Sequence, residues 1–520
     1  MHSPLPRTLR AIPHRLAFAR ALLIVPAALT ALLAGCAAVG PQATPPAALR
    51  SGSLPAQWQA STDTAPVSPA QQDAELARWW QRLDDPQLNE LIDAALQGSG
   101  TLQLAQARLR QARAAREQAA GARFPTITAS TAVSHSRAPT AGGGGNDLYD
   151  LGFDARWEAD LFGGTQRAIE AAGADLAASA ASVDNARVSL VAEVGQNYVD
   201  LRAAQRRLAI ARENTVAQSE TLQITSWRYQ AGLANASDVE QARASREQTR
   251  ATIPDLEVAV VAASNRLAVL TGRAPGALAD GLAAPRPLPA VPASIASAIP
   301  AAVLRQRPDL IAAERTLAAE TARVGVAMAQ RYPSLNLAAS FGWQAFNLSG
   351  IGTATAIARS ISGTLAATLF DGGRLRAAVE VRSAAQEQAL VSYQNAVLGA
   401  LEDVENSLTA YAWARERISA RAAAADAARV AAQLARNLYE SGLTDFQRVL
   451  ETERTRLATE DALAQAEATR VSSVIRLYKA LGGGWQDAPA LVPTGTASAS
   501  SNTPPSRSDS TAATRQDTRQ

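Results

Sequence analysis

From Arg374 to Glu440 the chain contains no proline and one glycine, Gly399. At about 1.5 Å per residue this reads as one helix of roughly 100 Å. Val397, Leu401, Val404, Leu408, Tyr411 and Ile418 recur along it at steps of three, four or seven, the stripe that lets one helix pack lengthwise on another. Globular helices average about 10 to 14 residues, so a helix of this length predicts an elongated bundle or tube. Val191, Val194, Tyr198, Leu201 and Leu208 repeat the stripe earlier in the chain.

The recurrence belongs to a duplication at an offset of about 208 to 210 residues. Arg123-Phe-Pro-Thr-Ile-Thr matches Arg331-Tyr-Pro-Ser-Leu-Asn, and Asp160-Leu-Phe-Gly-Gly matches Thr368-Leu-Phe-Asp-Gly-Gly. Tyr229-Gln-Ala-Gly-Leu matches Tyr439-Glu-Ser-Gly-Leu, and Leu267-Ala-Val-Leu-Thr-Gly matches Leu477-Tyr-Lys-Ala-Leu-Gly. Each half reads helix, strand, strand, very long helix, Gly-Leu turn, shorter helix. The first repeat is expected over 76–283, with strands at about 124–135 and 148–160 and helices at 165–231 and 235–271. The second is expected over 284–484, with a helix at 308–329, strands at 333–346 and 357–370, and helices at 374–440 and 445–481. Pro254 is expected to kink the first return helix.

In the strand regions the period changes to two. Tyr149, Leu151, Phe153, Ala155 and Trp157 alternate with Asp150, Gly152, Asp154, Arg156 and Glu158, giving one apolar and one charged face. Strands of about 10 to 13 residues suit a tilted membrane crossing, apolar toward lipid and polar toward a lumen. A sheet in lipid must close. Four strands do not close, so the alternatives are a soluble sandwich or several chains contributing four strands each.

At the N-terminus Arg7, Arg10, Arg15 and Arg20 precede the apolar run 21–33, which ends Leu33-Ala34-Gly35-Cys36. That order marks a secretory signal over 1–35. A cysteine after Leu-Ala-Gly resembles the bacterial lipobox, implying acylation at Cys36. Ala37 lacks the aspartate that resembles an inner-membrane retention signal. Removing residues 1–35 takes away four arginines and no carboxylate, so the formal charge falls from +3 to −1. No nucleic-acid footprint remains. Residues 36–75 read as a lipid-anchored tether rich in Pro, Ala, Ser and Thr, and 485–520 as a disordered tail. The run Gly142 to Gly145 lacks the following Lys-Ser/Thr of a phosphate cradle and reads as a loop.

The marks Trp79-Trp80 with Asp85-Pro86-Gln-Leu, Trp157-Glu-Ala-Asp-Leu-Phe-Gly, Ile253-Pro-Asp-Leu-Glu and Arg307-Pro-Asp-Leu-Ile-Ala-Ala-Glu together resemble the TolC-type outer-membrane efflux family, in its NodT-type lipoprotein branch. The likeness runs from about Trp79 to Gly484, with a departure at Gly98-Ser-Gly-Thr-Leu. It implies a mainly α fold with a membrane β-barrel: a homotrimer with twelve strands, four per chain, on a periplasmic α-helical tunnel. It further implies a passive exit duct in the outer membrane for drugs or other small molecules, served by a periplasmic adaptor and an inner-membrane transporter.

One histidine remains in the mature chain, His135, and one cysteine, Cys36. Cys-His catalysis and His- or Cys-rich metal sites therefore lack ligands, and no enzyme activity, cofactor or metal is expected. A carboxylate-based periplasmic hydrolase and a coiled-coil envelope scaffold are the rival readings; the scaffold would not need four strands of membrane length, and SDS-resistant, heat-modifiable trimers would separate the duct from both. The turns Gly232-Leu233 and Gly442-Leu443 are expected at the periplasmic tip, where each glycine ends a long helix and each leucine is offered to the adaptor. Asp445 starts the last helix where the first repeat has Asn235. It reads as a helix cap and, by the resemblance, as a member of a carboxylate ring at the periplasmic gate.

Overall fold

The computed structural model describes residues 38–44, 58, 76–137, 145–292 and 306–486. Two buried tryptophans open the body in a 3-10 turn, Trp79–Leu83, and Trp79 stacks on Tyr478 with ring centres 5.1 Å apart. Helix α1 (Pro86–Gly98) starts where Asp85 accepts hydrogen bonds from the amides of Gln87 and Leu88, with proline at the first helical position. Then follow α2 (Gly100–Gly121), β1 (Thr126–Arg137), β2 (Gly145–Ala159), α3 (Gly164–Gln230), α4 (Ala236–Leu270) and the short α5 (Ala279–Leu282). The second half comprises α6 (Pro308–Ala329), β3 (Ser334–Ala345), β4 (Ile357–Ala366), α7 (Arg374–Glu440) and α8 (Phe446–Ala480).

The long helices α3 and α7 have 67 residues each. Both α2 and α4 pack along α3, and both α6 and α8 pack along α7. With 22 and 35 residues, α2 and α4 span about 86 Å end to end, against roughly 100 Å for α3. Their joint is a backbone contact. A methyl group on Gly272 would lie 2.2 Å from the Gly98 carbonyl oxygen, and one on Gly98 would lie 2.4 Å from that of Thr271. Glycine is required on both sides, and the divergent Gly98-Ser-Gly-Thr-Leu supplies one of them. In the second repeat Arg307 makes the joint, donating from Nη1 to the Ala480 carbonyl at 3.0 Å. Pro254 lies inside α4 without ending it.

The stripe on α3 forms the core at this level. Val191, Val194, Tyr198 and Leu201 are buried with Leu267, Val474 and Leu477, each contributing about 1.5–3 kcal/mol. On α7, Val397, Val404 and Leu408 are buried, whereas Leu401 and Tyr411 are partly buried. Tyr198 donates to the Asp85 carboxylate at 2.8 Å; burial, the largest influence on it, pushes the phenol up to about 12.

The four strands form one antiparallel sheet in the order β1-β2-β3-β4. Register places Phe153 opposite Ala129 and Phe341, Leu151 opposite Trp343, and Phe341 opposite Arg359. The strand expected to reach residue 370 ends at Ala366, and Leu369 and Phe370 follow almost fully exposed.

Candidate functional site

Alternation and register divide the sheet into two chemically distinct faces. One carries Leu151, Phe153, Trp157, Leu337, Phe341 and Trp343. The other carries hydrogen-bonded polar pairs: Ser130 with Asp154 at 3.1 Å, and Ser340 with Ser360 at 2.8 Å. In the single chain the apolar face is bare: Ile361 is 88% exposed and Leu365 67%. Among the described residues the α-helices pack chiefly on one another and not on the sheet. Strands β1 and β4 are the sheet's edges and each pairs on one side only. His135 lies at the far end of β1, its Nδ1 2.7 Å from Asp147.

At the opposite end of the helices, both Gly-Leu turns have the same geometry. Gly232 has φ 74° and Gly442 φ 75°, the left-handed region that glycine enters without a side-chain clash. The Gly232 amide donates to the Tyr229 carbonyl at 2.9 Å and the Leu233 amide to Arg228 at 2.7 Å. In the second turn Gly442 donates to Tyr439 at 3.0 Å and Leu443 to Leu438 at 2.8 Å. Each pair is a Schellman closure, which satisfies the last carbonyls of the helix and reverses the chain. Leu233 and Leu443 remain 68% and 75% exposed, so both end pieces present an apolar side chain.

The return helices are capped differently. Asn235 and Asp238 form a reciprocal capping box, with the Asp238 amide 2.9 Å from Asn235 Oδ1. Asp445 Oδ1 accepts from the Arg448 amide at 3.0 Å. Arg448 stands where a box would need an acidic or amide side chain, so Asp445 caps alone and keeps a carboxylate at the tip.

The two turns are joined by Arg228 and Tyr439, which the sequence reading missed. Arg228 Nη1 donates to the Tyr439 carbonyl at 2.7 Å, and its guanidinium lies 4.6 Å from the centre of the Tyr439 ring. Tyr439 is buried against Phe446, Val449, Leu450 and Ala242, so the tip has its own small core. A signal was present: at the repeat offset Arg228 corresponds to Leu438, a cation in one half where the other has an apolar residue.

Above this core lies a buried acidic clamp between α3, α7 and α8. Glu453 accepts from the Thr221 hydroxyl at 2.5 Å and from Arg436 at 3.4 Å. Arg436 also reaches Glu220 at 2.9 Å and the Ala217 carbonyl at 3.0 Å. Burial raises the Glu453 carboxyl above its ordinary range, opposed by the Thr221 hydrogen bond and the Arg436 charge. About two helical turns along α8 from Glu453, Glu460 accepts from Arg456 at 3.1 Å, Asn214 at 3.2 Å and Arg429 at 3.3 Å.

Cys36 lies outside the described residues. The chain just after it is held in place: Arg167, itself buried, donates from Nε to the Val39 carbonyl at 3.1 Å and from Nη2 to Gly40 at 3.3 Å. The Val39 amide donates to Phe162 at 3.2 Å. Ala38–Gly40 is thus docked where the sheet meets the helices, and Trp58 packs on the helical core. Among the described residues no group of three or more His, Cys, Asp or Glu is placed to hold a metal ion.

Comparison with known proteins agrees with this architecture. The family model described as outer membrane efflux protein matches residues 91–273 and 299–483, once in each repeat. The chain is 31% identical to Nodulation protein T of Rhizobium leguminosarum bv. trifolii over 87% of this chain and 96% of that protein. It is 28% identical to the probable outer membrane lipoprotein SilC of Salmonella typhimurium, over 87% and 97% of the two chains. Among solved structures, the outer-membrane channel OprN superimposes with a TM-score of 0.80 at 37% identity, covering 86% of this chain and all of that one. A two-faced sheet on paired long helices, matched in both halves by one family model, establishes that this chain belongs to the outer membrane efflux protein family and works as an efflux channel of the outer membrane.

Proposed function

We propose that three copies of this chain close into one duct, a twelve-stranded barrel continued by a tunnel of long helices, and that small molecules leave the cell through it without energy from the duct itself. The observation that carries this reading is the four-stranded sheet with a bare apolar face and two unpaired edges. Such a sheet is stable in lipid only when its edges are closed, and β4 of one copy closes on β1 of the next. The helices support the same closure. Val258 and Val261 on α4, and Leu398 and Trp413 on α7, are more than half exposed in the single chain; a neighbouring copy covers them.

In this reading the tip faces the periplasm. Leu233 and Leu443 contact a helical periplasmic adaptor, which couples the duct to an inner-membrane transporter. Three copies of Asp445 surround the axis, where their mutual repulsion is relieved by cations, basic partners or separation. Cys36 carries the acyl anchor, supported by the lipobox and by the likeness to a probable outer membrane lipoprotein. The test is purification from outer membranes followed by mass measurement and planar-bilayer recording. A detergent-stable trimer with discrete conductance steps is expected. A folded monomer extracted from the membrane, or trimers without conductance, overturns the reading.

A further inference from the structure

Apart from Arg137, the last residue of β1, the apolar face of the sheet carries one arginine. Arg359 on β4 stands opposite Phe341 on β3, so its side chain emerges on the same face as Phe341 and Phe153, between Ile357 and Ile361 on its own strand. It is the third residue of β4, at the end remote from the helices, beside the Trp343–Ile357 pair. Among the described residues its guanidinium, which is exposed, makes no hydrogen bond or ion pair.

Closing the barrel does not supply a counter-charge. The outward positions of β1 are Ile127, Ala129, Thr131, Val133, His135 and Arg137, and none is acidic. The one acid on this face of the described strands is Asp147, already 2.7 Å from His135. Whatever register β1 of the next copy adopts against β4, it brings neutral groups or further cations. A charge on the lipid face costs about 2–4 kcal/mol at the bilayer midplane and about 0–1 near the interface. Arg359 sits at the strand end, within reach of the phosphates that line that interface, and its planar fork matches a phosphoryl group in two contacts.

We infer that Arg359, reinforced by Arg137 of the adjoining copy, binds the phosphorylated headgroup of a glycolipid in the leaflet remote from the helical tunnel. The site rests on the trimeric duct reading. It gives the outside of the barrel a specific lipid contact at each of its three seams, separate from the polar lumen where Ser340 meets Ser360.

The test is native mass spectrometry of detergent-purified trimers titrated with bisphosphorylated hexa-acyl lipid A, its dephosphorylated form and phosphatidylglycerol. Wild-type trimers should hold the bisphosphorylated lipid most strongly. Arg359→Gln should weaken it about tenfold, and Arg359→Lys less than that. The lumen variant Ser360→Ala should match wild type. Equal retention of the dephosphorylated lipid, or normal retention by Arg359→Gln, overturns the inference. Phosphatidylglycerol binding as tightly, and with the same dependence on Arg359, overturns the glycolipid assignment. If Arg359→Gln fails to assemble, the comparison of the three lipids on wild-type trimers decides alone. Absence of wild-type trimers refutes the duct reading instead, so the two failures are distinguishable.

Discussion

Replacing Arg228 by alanine should detach the two turns of the tip from one another. The side chain makes one charge-assisted hydrogen bond, 2.7 Å to the Tyr439 carbonyl, and one cation–π contact at 4.6 Å. In isolation these are worth about 1.5–3 and about 0.5–2 kcal/mol. Arg228 is only half-buried, so water replaces part of the hydrogen bond, and a net loss of about 2 kcal/mol is expected. At about 1.4 kcal/mol per tenfold, that raises the population of the separated state roughly thirtyfold. Amide exchange over residues 226–233 and 436–443 in intact trimers measures it directly: protection in both turns should fall by that factor, and resting conductance should rise with it. Arg228→Lys should recover less than half, because an ammonium lacks the planar fork. Tyr439→Phe should remain near wild type, since it removes only the 3.4 Å contact to Thr225. Unchanged exchange in Arg228→Ala trimers of normal yield refutes the link.

Four further outcomes are expected. Asp445→Asn keeps the cap on the Arg448 amide but removes the charge, so stability should hold while resting conductance rises and block by divalent cations weakens; wild-type conductance and block leave Asp445 a cap only. Burial raises the Glu453 carboxyl in the folded state, so its contribution is fully present below the unfolded carboxylate range and is lost as pH rises through the folded value. Wild type should therefore gain stability relative to Glu453→Gln on acidification from neutral pH toward the unfolded carboxylate range, and a melting-temperature difference that does not change with pH excludes the carboxyl as the cause. Leu443→Asp should reduce cross-linking to the adaptor while trimer yield stays normal; undiminished cross-linking counts against contact at the turn. Cys36→Ser should abolish incorporation of labelled palmitate, and persistent labelling refutes acylation at that sulfur.

The long helix was legible because nothing between Arg374 and Glu440 interrupts it, and the strands because their alternation is strict over Tyr149 to Trp157. Both are local patterns, and the duplication let each half check the other. What remained hidden depends on pairs distant in sequence. Arg228 and Tyr439 are 211 residues apart, and Thr221 and Glu453 are 232; no period in the chain announces that they meet. The docking of Ala38–Gly40 was hidden differently. A stretch of small and proline residues reads as a tether, and its order comes from Arg167, which only the folded chain brings beside it. Asp445 was read correctly as a cap from local chemistry alone, whereas its place relative to an axis is a property of the assembly.

The two unpaired edge strands have a genetic consequence. A barrel whose wall is shared among three chains fails if any one of its seams cannot be sealed, so a chain that assembles but carries a damaged β1 or β4 spoils the sound copies joined to it. With sound and damaged chains made in equal amounts and combining at random, about one trimer in eight would contain sound copies only. An allele with a proline in the middle of β4 that leaves the helical body intact should therefore be dominant over the wild type, and one that prevents the body from folding should be recessive.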